Sequence, residues 1–174
     1  MKLLLLYYGT LLKRADDLEP ADRAAARAII GEKIDLLNVQ WIYRAKKFYQ
    51  IPPEQILAYC LHGGRHLGFG RLKEMSYAVS LDKMMQLSDS YLKRKIFDGA
   101  NDSSLRKRTD EILLRMLNES SLRTPVGAVI SYIHMYEMIV NDMISITEGI
   151  RYRLPKERIR ENLSLSGRKA GVKH

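Results

Sequence analysis

Three groups of side chains have the types and spacing for chemistry. Asp35 and Asn38 lie three apart, so a helix would place them on one face, with Glu32 one turn earlier. Paired carboxylates on one face can divide acid and base work. No nucleophile, glycine-rich site or metal cluster accompanies them. The favoured reading is polar contacts inside a helical bundle, paired with Arg44, Glu148 or Arg151, because a buried charge must be compensated. Cys60, His62 and His66 have spacings that a metal site could use. A fourth ligand is not apparent, so the expectation is loop polarity beside a buried thiol, with no metal and no cofactor. The segment HGGRHLGFG, His62 to Gly70, has the glycine content of a phosphate loop. It lacks the preceding strand, the GK[ST] ending and a GxGxxG run opening a helix.

The elements that must position these residues read as helices. Residues 2–16 form the first. Pro20 opens the second, since a missing N–H costs nothing in a first turn. That helix runs unbroken, apart from Gly31, to about Tyr49. Ile30, Ile34, Leu37, Trp41 and Phe48 share one face, and Arg23, Arg27 and Lys46 lie opposite. Ile51-Pro52-Pro53 ends it, and Pro53 starts a short helix through Cys60. His62 to Gly70 is expected to be a loop. Ser80 caps a helix over 81–97. Gly99 to Ser103 is expected to turn, and Ser104 to cap a helix to about Asn118. Thr124-Pro125 opens a long helix to about Tyr152. Val129, Ile133, Tyr136, Val140, Met143 and Ile150 make its apolar stripe; His134, Glu137, Asn141 and Glu148 make a polar one. Leu154-Pro155 ends it, and a short helix follows to Leu163. The tail from 164 to 174 is basic, small and expected to be mobile. No segment alternates with period two, so the fold is all-α: two long helices, each with a proline turn and a short helix, packed side by side.

Two blocks repeat this plan. Asp35 to Ile56 and Ile139 to Ile159 each hold a helix end, a basic and aromatic segment, a proline and an acidic restart. Aligned on Asn38 and Asp142, Arg44 falls opposite Glu148, Ala45 opposite Gly149 and Lys47 opposite Arg151. One gapped residue then brings Pro53-Glu54 onto Lys156-Glu157. A repeated helical unit indicates duplicated architecture. The expected organisation is one domain, 1–163, of two related lobes, about 1–79 and 80–163. Arg44 and Glu148 are expected to interact near the pseudo-symmetric centre.

Composition bounds the function classes. The 174 residues carry a net charge of +9 and are 46% hydrophobic, enough for a core and attractive to acidic partners. Charge does not choose among acidic proteins, nucleic acid and anionic membrane surfaces. The basic clusters Arg44-Lys46-Lys47, Lys93-Arg94-Lys95, Arg106-Lys107-Arg108 and Arg151 to Arg160 read as solvated helix faces, or as a docking edge. Nucleic acid is less favoured, since aromatics total 8% and no recognised module pattern appears. Cys60 is the only cysteine, which suits a reducing compartment. No stretch reaches the roughly 20 apolar residues of a spanning helix. MKLLLLYYGTLL imitates a signal peptide without its cleavage site. The methionines, including Met135, Met138 and Met143, read as adaptable core packing.

The stretches EKIDLLNVQWIYRAKKFYQIPPEQIL and TPVGAVISYIHMYEMIVNDMISITEGIRYRLPKERIRENL resemble the C-type member of V-type/A-type ATPases (ATP synthases), a family related to the d component of the eukaryotic V-ATPase. The family pattern is an acidic residue, two intervening residues, Asn, an aliphatic and basic helix end, then a proline–acidic restart. Asp35 and Asn38 match it, whereas Ile139 and Asp142 depart from it. The resemblance runs from about Tyr7 to Leu163 and is to the later portion of longer, three-lobed members, which implies a fragment or a reduced relative. It implies a non-catalytic adaptor on the cytoplasmic face of the membrane, receiving the D and F proteins of the stalk and seated on the rotor ring, with no small-molecule substrate. Asp35, Asn38, Arg44, Asp142, Glu148 and Arg151 are then structural or interface residues. The alternatives are a basic all-α nucleic-acid-binding module and an enzyme centred on Glu32, Asp35 and Glu137.

Overall fold

The computed structural model describes residues 2–97, 102–161 and 163–164. Every regular element among them is helical: α1 (Lys2–Asp16), α2 (Pro20–Arg44), α3 (Pro53–Ala58), α4 (Phe69–Ser76), α5 (Leu81–Leu92), α6 (Asp102–Ser121), α7 (Pro125–Arg151) and α8 (Lys156–Glu161). The fold is all-α. Helix starts follow the sequence signals: Pro20 and Pro125 sit in first turns, Ser80 accepts from the Lys83 N–H at 3.1 Å, and Thr124 from the Gly127 N–H at 3.0 Å.

Three expectations are corrected. Phe69–Ser76 is a helix that begins inside the expected loop, and it buries Leu72, Met75 and Ser76. The helix over 81–97 stops at Leu92. Lys93 turns left-handed there (φ 51), and the Asp89 carboxylate accepts the Ile96 N–H at 2.8 Å, folding the chain back so that Ile96 is buried. The helix expected from Ser104 begins at Asp102, so residues 102 and 103 are helical rather than turn. The rest of that expected turn, 99–101, and the tail from 165 lie outside the described residues.

Helix α2 is the axis of the molecule. Ile29, Ile34, Val39 and Ile42 on it have no exposed surface, each burial worth about 1.5–3 kcal/mol. α1 and α6 run antiparallel to it: Arg27 pairs with Asp16, and Gln40 donates to Thr109 at 2.5 Å. α7 runs parallel to it. The Val126 N–H donates to Asp22 at 3.3 Å and Lys33 Nζ to Glu137 at 2.7 Å, both contacts spanning 104 positions. That is the offset from Asn38 to Asp142, so the stretches leading into the two blocks run side by side in register. Neighbours on several sides explain why α2 also buries Glu32, Asp35 and Asn38. One apolar core, from Ile29 and Leu36 through Ile56, Met75, Met84, Leu113 and Met138, joins elements of both blocks.

The two proline turns share a geometry. Gln50 (φ 48) and Arg153 (φ 54) are left-handed at equivalent positions. The Leu154 N–H then returns to the Gly149 carbonyl at 2.9 Å, closing the helix end as a left-handed cap does. In the first block the Ile51 N–H returns to the Ala45 carbonyl at 3.2 Å, one residue wider. The extra residue is taken up by a π-helical turn over Ala45–Tyr49. The gap needed to align the blocks is therefore a local widening of one helix end.

Amphipathicity ordinarily turns an apolar stripe inward. On α7 it does not. Val129, Ile133, Tyr136, Val140, Met143 and Ile150 are all exposed, Ile150 at 66%, and only Met135 and Met138 of the three methionines pack on the core. The inward face carries Gly127, Ser131, His134, Met138, Asp142 and Gly149. Small residues there allow close approach: a Cβ on Gly127 would lie 2.7 Å from the Ser120 carbonyl oxygen, and Ser131 Oγ donates to the Leu117 carbonyl at 2.9 Å.

Candidate functional site

Asp35 and Asn38 come together on one buried face of α2 and hold the following glycine-rich loop. Asn38 grips Leu61 by both backbone groups: Oδ1 accepts the N–H at 2.7 Å and Nδ2 donates to the carbonyl at 2.9 Å. Asp35 accepts the His66 N–H at 2.7 Å and the Leu67 N–H at 3.0 Å. The glycines serve this close approach. A Cβ on Gly64 would lie 2.0 Å from Asp35 Oδ1, and Gly63 takes φ +90 against Leu12. Burial raises the Asp35 carboxyl to about 6, opposed by the backbone donors and reinforced by neighbouring Glu32.

Glu32 is fully buried and bonds Arg94 Nη1 at 2.7 Å; its Oε2 has no hydrogen-bond partner among the described residues, with His66 Nε2 at 3.6 Å. Its place in the acid–base reading is therefore taken by an ion pair. Glu137 is 45% exposed and engages Lys33 and His134 on the α7 side, while Asp35 is spent on the loop. Cys60 donates to the Ile56 carbonyl at 3.4 Å, and burial raises its thiol to about 12. Among the described residues no group of three His, Cys, Asp or Glu side chains is arranged to hold a metal.

The second block repeats the anchor in part. Asp142 Oδ1 accepts the Ser164 N–H at 2.8 Å, as Asn38 Oδ1 accepts that of Leu61. The spans are 22 and 23 positions, differing by the π-turn residue. Ser164 Oγ also donates to Asp110 at 2.5 Å. Ile139, opposite Asp35, has no acceptor to offer and is 42% exposed. The remaining residues singled out from the sequence lie elsewhere. Arg44 lines a groove of about 160 Å³ with Leu4, Leu37, Trp41 and Leu61. Glu148 is exposed on the last turns of α7, and Arg151 stands 6.0 Å from the Tyr152 ring centroid, near the negative helix end.

Sequence reasoning missed the Lys33–His134–Glu137 contact. Lys33 Nζ lies 2.9 Å from His134 Nδ1, and Glu137 Oε2 lies 3.0 Å from the same nitrogen. Burial and Lys33 hold the imidazole below its ordinary value. The shared 104-position offset was the available signal, because it sets Lys33 opposite Glu137.

These side chains pin loops and helix ends on an all-helical frame with a long exposed apolar face. The sequence pattern of the ATP synthase (C/AC39) subunit family matches residues 1–162, and the chain belongs to that family, a component of V/A-type ATPase complexes. No curated protein and no solved structure matches it significantly. Among the described residues no helix is long and apolar enough to cross a membrane.

Proposed function

We propose that the chain is a non-catalytic adaptor of the central stalk, linking the D and F proteins of the rotor shaft to the membrane rotor ring from the cytoplasmic face. The observation that carries this reading is the outward apolar stripe of α7. Isolated surface hydrophobics need no explanation, whereas a contiguous stripe along a 27-residue helix marks a contact surface. Tyr132, also exposed, stacks on Tyr136 with ring centroids 6.4 Å apart, and aromatic anchors of this kind dominate interface energetics.

Torque transmission needs parts that resist bending. The buried anchors at Asn38, Asp35 and Asp142 tie each long helix to the segment after its proline turn, and the shared core joins the two blocks. These features support reading residues 1–163 as two related lobes of one domain, and Asp35, Asn38, Arg44, Asp142, Glu148 and Arg151 as its structural or interface residues. The test is a pull-down against a purified D–F pair and rotor ring. Retention on either partner is expected; absence from both at low salt overturns the reading. Salt-sensitive binding to DNA or RNA instead would favour the nucleic-acid alternative.

A further inference from the structure

A second site lies where α2, the glycine-rich loop, the segment after α5 and α6 meet. A cavity of about 280 Å³ is lined by Arg65 from the glycine-rich loop, Arg94 and Lys95 after α5, Arg108 and Arg115 on α6, and, among the described residues, only two carboxylates, Glu32 and Glu119. Three chain segments thus converge five cations on one concavity, with Glu32 from α2. We propose that this cavity binds a compact polyphosphate anion.

Two of the cations are held in place by the protein. Arg94 is fixed by buried Glu32 at 2.7 Å; Arg108 donates to Glu111 at 3.1 Å and to the Lys95 carbonyl at 3.1 Å. Among the described residues no ion pair engages Arg65, Lys95 or Arg115. Like charges converging on a concave, protein-walled space raise the local concentration of counter-ions. Arginine forks match phosphate oxygens two at a time.

Glu32 Oε1 holds Arg94 at the cavity wall, while Oε2 is buried with His66 Nε2 at 3.6 Å. A phosphate presents acceptor oxygens to the arginines. Among the described residues no aromatic side chain lines the cavity to stack a base as single-stranded nucleic acid sites do. The chemistry fits phosphate groups alone, and the volume far exceeds the roughly 10–15 Å³ that one water needs. The proposal does not rest on the adaptor reading.

The test is titration calorimetry of the full chain with sodium pyrophosphate at pH 7 and physiological salt. Saturable binding at one site is expected, weakened at least about tenfold in Arg65→Ala/Arg115→Ala, a loss of about 1.4 kcal/mol. Both side chains are exposed, so the variant keeps its fold, checked by an unchanged melting temperature. Arg123→Ala, exposed and outside the cavity, is expected to bind as wild type. No saturable binding, or equal weakening in Arg123→Ala, overturns the proposal. A parallel arm uses phosphatidylcholine vesicles carrying phosphatidylinositol bisphosphate: binding to these without binding to pyrophosphate would assign the cations to a membrane surface and also overturn it.

Discussion

Replacing Asn38 by Ala removes one side chain that satisfies two backbone groups. Asn38 is 1% exposed and Leu61 2% exposed, so water cannot substitute freely for the lost partner. The Leu61 N–H and carbonyl, bonded at 2.7 and 2.9 Å, would both be stranded. Each stranded buried group costs about 1–3 kcal/mol, which gives about 2–6 kcal/mol in all. That is a large part of the about 5–15 kcal/mol that holds a typical domain together. At roughly 2–4 °C per kcal/mol for a chain of this size, the melting temperature falls by about 4–24 °C. Leu61 packs with Tyr8 and Ile34, so the damage extends to the seating of α1. Urea denaturation followed by circular dichroism gives the free energy, and hydrogen exchange at the Leu61 amide gives the local loss. Asp142→Asn keeps an acceptor for the Ser164 N–H and is expected to cost far less. A change under about 0.5 kcal/mol in Asn38→Ala, with Leu61 still protected, would refute the anchor.

Other predictions concern charge, packing and pairing. Asp35 has a folded value of about 6 against an ordinary 3.8. The folded state therefore holds the proton longer, and the associated stability is full below about pH 4 and lost as pH rises through about 6. The difference is about 3 kcal/mol by linkage. Asp35→Asn should lack that slope in denaturation curves between about pH 4 and 7. His66 and His134, both lowered, act in the opposite sense, so the wild-type minus variant difference isolates Asp35. Gly127→Ala places a methyl 2.7 Å from the Ser120 carbonyl oxygen, and overpacking of this kind costs about 1–3 kcal/mol, readable by thermal melting. Arg44→Ala and Glu148→Ala, combined in a double-mutant cycle, test the proposed pairing of these equivalent positions: a non-zero coupling is expected, and strict additivity removes the idea.

Much of the fold was legible because its signals are local. Pro20, Pro53, Thr124-Pro125 and the two proline turns mark helix boundaries through single-residue backbone chemistry. The short α4 was missed because Phe69–Ser76 follows a glycine-rich run and shows only two turns of periodicity. The early end of α5 depends on Asp89 reaching a backbone N–H seven positions on, which no propensity describes. The candidate site was legible as residues and not as an arrangement. Spacing put Asp35 and Asn38 on one face but could not show that the partner was the loop at 61–67. Periodicity likewise found the stripe from Val129 to Ile150 and not its direction. The small residues Gly127, Ser131 and Gly149, recurring opposite that stripe, were the sign that α7 packs through its other side. The arginine-lined cavity draws on four separated segments, so no local pattern announces it.

The adaptor reading is tested most directly by comparing wild type with Ile133→Glu/Tyr136→Glu for binding to an immobilised complex of rotor ring and D–F stalk. Both side chains are exposed, so the variant is expected to melt as wild type does. Saturable wild-type binding is expected, with the variant at least about tenfold weaker, a loss of about 1.4 kcal/mol or more. Wild-type binding unchanged by the two glutamates would contradict the role assigned to α7, and no wild-type binding at low salt would contradict the adaptor itself.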